Sequence, residues 1–321
     1  MSPAVRGTMT TTFALTAAIL LSSALAFAQP PGGGGQRPAP DPRSMGGGNC
    51  ANNPFNCKDT PNPLPPNPSV FIHELTWMDV RDALAAGKTT AIITTGGVEP
   101  NGPWLVTGKH NYVNRVNCEA IARKLGNALC APNIAFVPEG NIEPPSSHMT
   151  SPGTISLRSE TFEAVLTDIA HSLKMHGFKH IMFIGDSGGN QGPQRTVAEA
   201  LNKKFNGEAI VAHVQEYYTY GVVGEHMAKQ GLKEGESDSL HDDPVITLNM
   251  LMADPKSVRY DERIKAGKAV INGVDISDRA KAMAWGKQIV DFRADYTVEA
   301  IKKAIANKGT LPAPPRTRPQ P

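Results

Sequence analysis

From residue 76 to residue 214 this chain alternates short β-branched or apolar runs with longer stretches of helical period, and that alternation limits its folds more than any other feature. Thr76 stands ahead of Trp77, Val80, Leu84 and Ala85, a cap followed by one apolar helical face that Gly87 closes. Residues 89–95, TTAIITT, read as a buried strand. A helix is expected over 112–129, with Val113, Val116, Ala120, Ile121 and Leu125 at helical spacing, and a second strand over 134–137. Ser159 starts a further helix that turns Phe162, Val165, Ile169 and Leu173 inward and stops at Gly177. A third strand over 180–184, a helix over 194–205 and a fourth strand over 209–214 complete the alternation. Parallel strands need crossover connections, and helices provide them, so the pattern specifies an α/β fold: a mainly parallel sheet flanked by helices on both faces. The remainder reads as helical, over 245–252 and 276–305.

Both ends lie outside this pattern. Arg6 precedes an apolar run from Phe13 to Leu25, and Ala26-Phe27-Ala28 places small residues where a signal peptidase inspects the chain. Residues 1–28 are therefore expected to be a cleaved signal peptide, the run being short of the about 20 apolar residues of a membrane span. Residues 29–68 are crowded with Pro, Gly and Asn and are expected to form a flexible arm, because little apolar surface offsets their ordering entropy. Residues 309–321 form a Pro- and Arg-rich tail expected to be disordered, which leaves one domain over 69–308. The expected location is periplasmic or secreted, with no membrane association after cleavage. Four cysteines, Cys50, Cys57, Cys118 and Cys130, suggest disulfides in an exported protein; three pairings are open. A net charge of +2 without a basic run argues against nucleic acid as a partner.

In open parallel sheets ligands bind beyond the carboxyl ends of the strands. The loops over 96–110 and 185–190 occupy those positions, and they carry Glu99, His110 and Asp186. Imidazole with carboxylates suits zinc, manganese or iron, so these three are the candidate ligands of one divalent metal ion, zinc first among them. The string GDSGG around Ser187 also occurs at the nucleophile of trypsin-like proteases, but that fold is all-β and does not match a strand–helix alternation. A third polar cluster, His241, Asp242, Asp243 and Pro244, precedes the helix over 245–252. Capping accounts for the two aspartates and leaves His241 to face the site.

Several strings in order resemble the creatininase (creatinine amidohydrolase) family over residues 90–255. Glu99 and Gly102-Pro103 match its first motif, PGTISL stands intact as Pro152 to Leu157 with His148 ahead of it, and residues 176–178 read HGF. Residues 185–190 match the family's N-G-H-G-G-N string, and His241 with Thr247 matches a late motif. The resemblance implies a creatininase-like α/β fold, a metal-dependent C–N hydrolase and a homo-oligomer. The family's metal ligands are altered: Asn101 and Trp104 stand in place of histidines, His110 of an aspartate, Ser187 of a histidine and Ile246 of a glutamate. One Glu, one His and one Asp survive as Glu99, His110 and Asp186 with two positions exchanged, which suggests a single-metal site.

The function expected from these readings is hydrolysis of a C–N bond in a small amide, cyclic amide or formamide by metal-activated water. His241 and Glu99 are the expected catalytic groups, with His241 as proton shuttle or fourth ligand. Asn101, Ser187, Asn190 and His148 are the expected substrate-binding residues, the first three as donors to a developing oxyanion. The alternative is an exported, non-catalytic small-molecule binding protein that kept the fold and lost the family's metal site.

Overall fold

A computed structural model describes residues 61–311; the expected signal peptide, most of the arm, the end of the tail, Cys50 and Cys57 lie outside the described residues. The elements run α1 (Trp77–Ala85), β1 (Thr90–Thr95), α2 (Lys109–Leu125), β2 (Ala128–Cys130), α3 (Ser159–Met175), β3 (His180–Gly185), α4 (Gly188–Phe205), β4 (Ile210–His213), α5 (Tyr220–Lys229), α6 (Pro244–Ala253), α7 (Tyr260–Lys265), the hairpin strands β5 (Val270–Ile271) and β6 (Val274–Asp275), and α8 (Arg279–Ala306). Among the described residues no helix is long and apolar enough to cross a membrane.

Four strands form a parallel sheet in the order β2-β1-β3-β4. Side chains alternate across each strand, so the two faces take different partners. Ile92, Met182, Ile184 and Ala212 face Cys118 and Ile121 of α2 and Ala294, Val298 and Ile301 of α8. Ala91, Ile93, Ile181, Phe183 and Val211 face Phe162 and Leu166 of α3 and Val197, Leu201 and Phe205 of α4. Both faces are covered, which is why every residue of β1 is buried and its sequence shows no polar alternation. A third apolar cluster, with Leu248 and Met250 of α6 and Trp285 and Ile289 of α8, extends the core beyond the sheet on the side of α2.

Four sequence expectations are corrected. The helix expected over 112–129 is α2, which begins at Lys109 and stops at Gly126, whose φ of 75° lies in the left-handed region that glycine enters without steric cost. The second strand is therefore Ala128–Cys130, and residues 134–137 contribute only isolated bridges, Ile134 to Thr95 and Val137 to Ser156. The helix expected from residue 194 begins at Gly188 and runs through Pro193, its sixth residue, whose missing N–H leaves the Gly189 carbonyl without its usual helical donor. Asp242 and Asp243 do not cap α6: Asp242 pairs with the buried Arg263 at 2.9 Å, and Asp243 accepts from Ser237 and Asn272. Cys118 of α2 is bonded to Cys130 of β2, fixing the helix to the edge strand.

Candidate metal centre at the strand ends

Beyond the carboxyl ends of β1 and β3 lies a cavity of about 650 Å³ whose floor is Glu99, Lys109, His110, Glu139, Asp186 and Ser187. Glu99 follows β1, and α2 starts early enough to place Lys109 and His110 in its first turn, against that carboxylate. Glu99 Oε1 lies 2.8 Å from Lys109 Nζ, 3.1 Å from His110 Nε2 and 3.4 Å from His241 Nδ1. Its other oxygen, Oε2, meets His148 Nδ1 at 2.9 Å. Glu99 is only 2 % exposed. Burial alone would raise its carboxyl, but the surrounding imidazoles of His110, His148 and His241 hold it well below the usual carboxylate range.

Glu139 stands opposite. Its Oε2 accepts from Ser187 Oγ at 3.2 Å and meets His148 Nδ1 at 3.1 Å. Burial raises its carboxyl, and the nearby Glu99 charge adds to that against the pull of His148. His148 consequently bridges two carboxylates, which lift its imidazole to about 10, Glu139 foremost. Gly97 makes this approach feasible, since a Cβ there would overlap Glu139 Oε1.

The ring of His110 is oriented from behind. Its Nδ1 lies 2.8 Å from Asp186 Oδ2. Asp186 Oδ1 accepts from Tyr220 Oη at 2.7 Å and from Arg293 Nη2 at 2.9 Å. Burial would raise the Asp186 carboxyl; the Arg293 guanidinium and His110 hold it low. Arg293, itself buried on α8, also donates to Asn249 Oδ1 and to the carbonyl of Tyr217. With Nδ1 facing Asp186, His110 turns Nε2 into the cavity. That atom is buried and makes no aligned hydrogen bond, although Glu99 Oε1 is near. Glu139 Oε1 is likewise buried without a partner. Ligand atoms of Glu99, His110 and Glu139 lie within 4.8 Å of one another, as do those of Glu99, His148 and His241.

The sequence expectations fare unevenly here. Glu99, His110, His148, Ser187 and His241 all line the cavity, although His110 belongs to a helix and not to a loop. Asp186 is not placed as a ligand. Both its oxygens are engaged, and it acts on His110 as the carboxylate behind a ligating imidazole commonly does. Asn190 is fully buried away from the cavity; its amide donates to the oxygens of Thr95 and Gly96, pinning α4 to the end of β1. Asn101 donates to the carbonyls of Glu99 and Val106 and so closes its own loop. Neither asparagine has a free donor for an oxyanion. Glu139, Lys109, Tyr220 and Arg293 escaped the sequence reading. A carboxylate two residues past the run at 134–137 was a usable signal for Glu139; nothing local marks Arg293, which lies more than a hundred residues from its partner.

Comparison with known proteins bears on this geometry. The family model "Creatinine amidohydrolase" (Creatininase) matches residues 73–309. The creatinine amidohydrolase of Pseudomonas putida is 26% identical over 116 residues, 36% of this chain and 44% of that protein, so the match spans less than half of the relative's length. Two solved structures share the fold. One, described as "Creatininase Mn", has 20% identity and a TM-score of 0.52 over 74% of this chain and 98% of its own. A mutant creatininase described as of Zn-Zn type has 21% identity and a TM-score of 0.53 over 75% and 98%.

Proposed function

This chain belongs to the creatininase family, and from that premise we propose that it is a metal-dependent hydrolase of a C–N bond in a small amide, cyclic amide or formamide. The observation that carries the reading is the pair of buried ligand atoms that make no aligned hydrogen bond, His110 Nε2 and Glu139 Oε1, beside the Glu99 carboxylate on the floor of the cavity. Two carboxylates and an imidazole are a donor set for zinc or manganese. Glu99, His110 and Glu139 would hold one such ion, which supplies Lewis acidity to water and to a carbonyl.

The chain's own residues do the rest. Asp186 accepts the Nδ1 proton of His110 and so keeps the Nε2 lone pair turned inward. Arg293 keeps Asp186 charged for that task. His148 holds a proton between Glu99 and Glu139 and locks the two carboxylates at a fixed separation. His241 stands at the mouth, edge-on to His148 with ring centroids 5.4 Å apart, and is placed to pass a proton to a leaving nitrogen. Ser187 Oγ, on the floor beside Glu139, is the hydroxyl available to donate to a developing oxyanion. Pro138, Tyr218, Val245 and Ile246 supply walls that limit water. Action outside the cytoplasm belongs to the same proposal and is supported by the Cys118–Cys130 bond, since disulfides persist in oxidising compartments.

The test pairs metal content with turnover. The purified protein, assayed against creatinine, cyclic amides and formamides, is expected to carry zinc or manganese, to hydrolyse one of these classes, and to lose that activity reversibly on chelation. A protein that takes up no metal and turns over none of them contradicts the proposal and leaves the exported binding protein as the reading.

A further inference from the structure

Lys109 is a cation built into the floor of the site. It is 4 % exposed, it lines the cavity, and its Nζ lies 2.8 Å from Glu99 Oε1. Glu99 belongs to both groups of side chains able to hold a metal, Glu99–His110–Glu139 and Glu99–His148–His241. We propose that the Lys109 ammonium takes the place of a second metal ion, so that this site holds one divalent cation where its two ligand groups would otherwise hold two. The inference rests on the metal-dependent reading above.

Charge balance is the argument. Asp186 and Arg293 neutralise each other behind the floor. In front of them the Glu99 and Glu139 carboxylates are balanced by Lys109 and by the proton that His148 holds between them. One divalent ion then leaves the floor with two net positive charges, and a second would leave four in a buried site, where like charges repel far more strongly than in water. Position says the same. An ion shared among Glu99, His148 and His241 would draw on the same Glu99 carboxylate that the first ion uses, and Lys109 already holds one of its oxygens, Oε1. Lys109 thus acts through Glu99 as a charge-balancing, positioning residue. Neither a phosphate nor a nucleotide accounts for it, because its ammonium is paired with a carboxylate and is not offered to the solvent.

The test counts metal and does not depend on activity. The full chain, stripped with chelator and loaded with excess Mn(II), is desalted, and manganese per chain is measured by atomic emission. Electron paramagnetic resonance then reports whether two ions are coupled. The wild type is expected to hold one uncoupled ion, as is Lys109→Arg. Lys109→Gln and Lys109→Met, which keep the stem and remove the charge, are expected to hold two coupled ions. Two ions in the wild type would overturn the inference without any variant being needed. One ion in both neutral variants, with melting temperatures near the wild type's, would overturn it as well. No ion in the wild type would instead overturn the hydrolase reading, and this inference with it.

Discussion

Replacing Arg293 by Met tests whether the support behind His110 is as tightly coupled as the distances imply. The guanidinium is 2 % exposed and donates to Asp186 Oδ1, Asn249 Oδ1, Tyr220 Oη and the Tyr217 carbonyl. Its carboxylate partner has no exposure at all. Removing one member of a buried ion pair leaves the other charge uncompensated and costs about 3–5 kcal/mol. For a domain of this size each kcal/mol lowers the melting temperature by roughly 2–4 °C, so thermal unfolding followed by circular dichroism should fall by roughly 6–20 °C. Asp186→Asn removes the charge and keeps one acceptor oxygen, which His110 Nδ1 and Tyr220 Oη can no longer both use separately. The double variant should therefore recover more than about 1 kcal/mol relative to additivity of the two single changes. Metal affinity should drop about 10- to 100-fold in Arg293→Met, through the loosened His110. A single variant within about 1 kcal/mol of the wild type, or a strictly additive cycle, would refute the reasoning.

Three further outcomes follow from particular contacts. Burial lifts the Glu234 carboxyl to about 7 from 4.5, so the folded chain holds that proton more tightly than the unfolded chain. The resulting stabilisation is complete below the unfolded value and is lost as the pH rises through about 7. Glu234→Gln, neutral throughout, should thus gain on the wild type by up to roughly 3 kcal/mol between pH 5 and pH 8; a pH-independent difference in melting temperature would contradict this. Asn190→Ala removes three hydrogen bonds to Thr95 and Gly96 and should cost about 1–3 kcal/mol in urea unfolding while leaving metal content unchanged; lost metal with unchanged stability would return Asn190 to the site. Replacing Cys118 and Cys130 together by Ala opens a loop of separation 12 and should cost about 3 kcal/mol by the same unfolding assay; an unchanged midpoint would show that the bond adds no stability.

The parallel sheet was legible because its strands are short apolar runs between strongly periodic helices, as Thr90–Thr95 and Ser159–Met175 show. Element type is written locally, and so is the rule that ligands gather at strand ends, which pointed to Glu99, His110 and Ser187. Boundaries were less legible. Gly126 was read through as part of a helix, and the strand after it was displaced accordingly. Within the site, sequence identified residue types but not the direction in which each points. Asp186 and His110 do meet, but edge to ring, because Arg293 and Tyr220 draw the carboxylate away from the cavity. Arg293 arrives from α8 and Glu139 from an irregular segment, and no sequence periodicity announces either.

The central claim is that Glu99, His110 and Glu139 hold the metal while Asp186 stands behind His110. Crystals grown with zinc and measured at the zinc absorption edge test it most directly. The account predicts one anomalous peak per chain, within about 2.0–2.2 Å of a Glu99 oxygen, His110 Nε2 and a Glu139 oxygen. A peak bonded to an Asp186 oxygen, or no peak at the floor of the cavity, would contradict it.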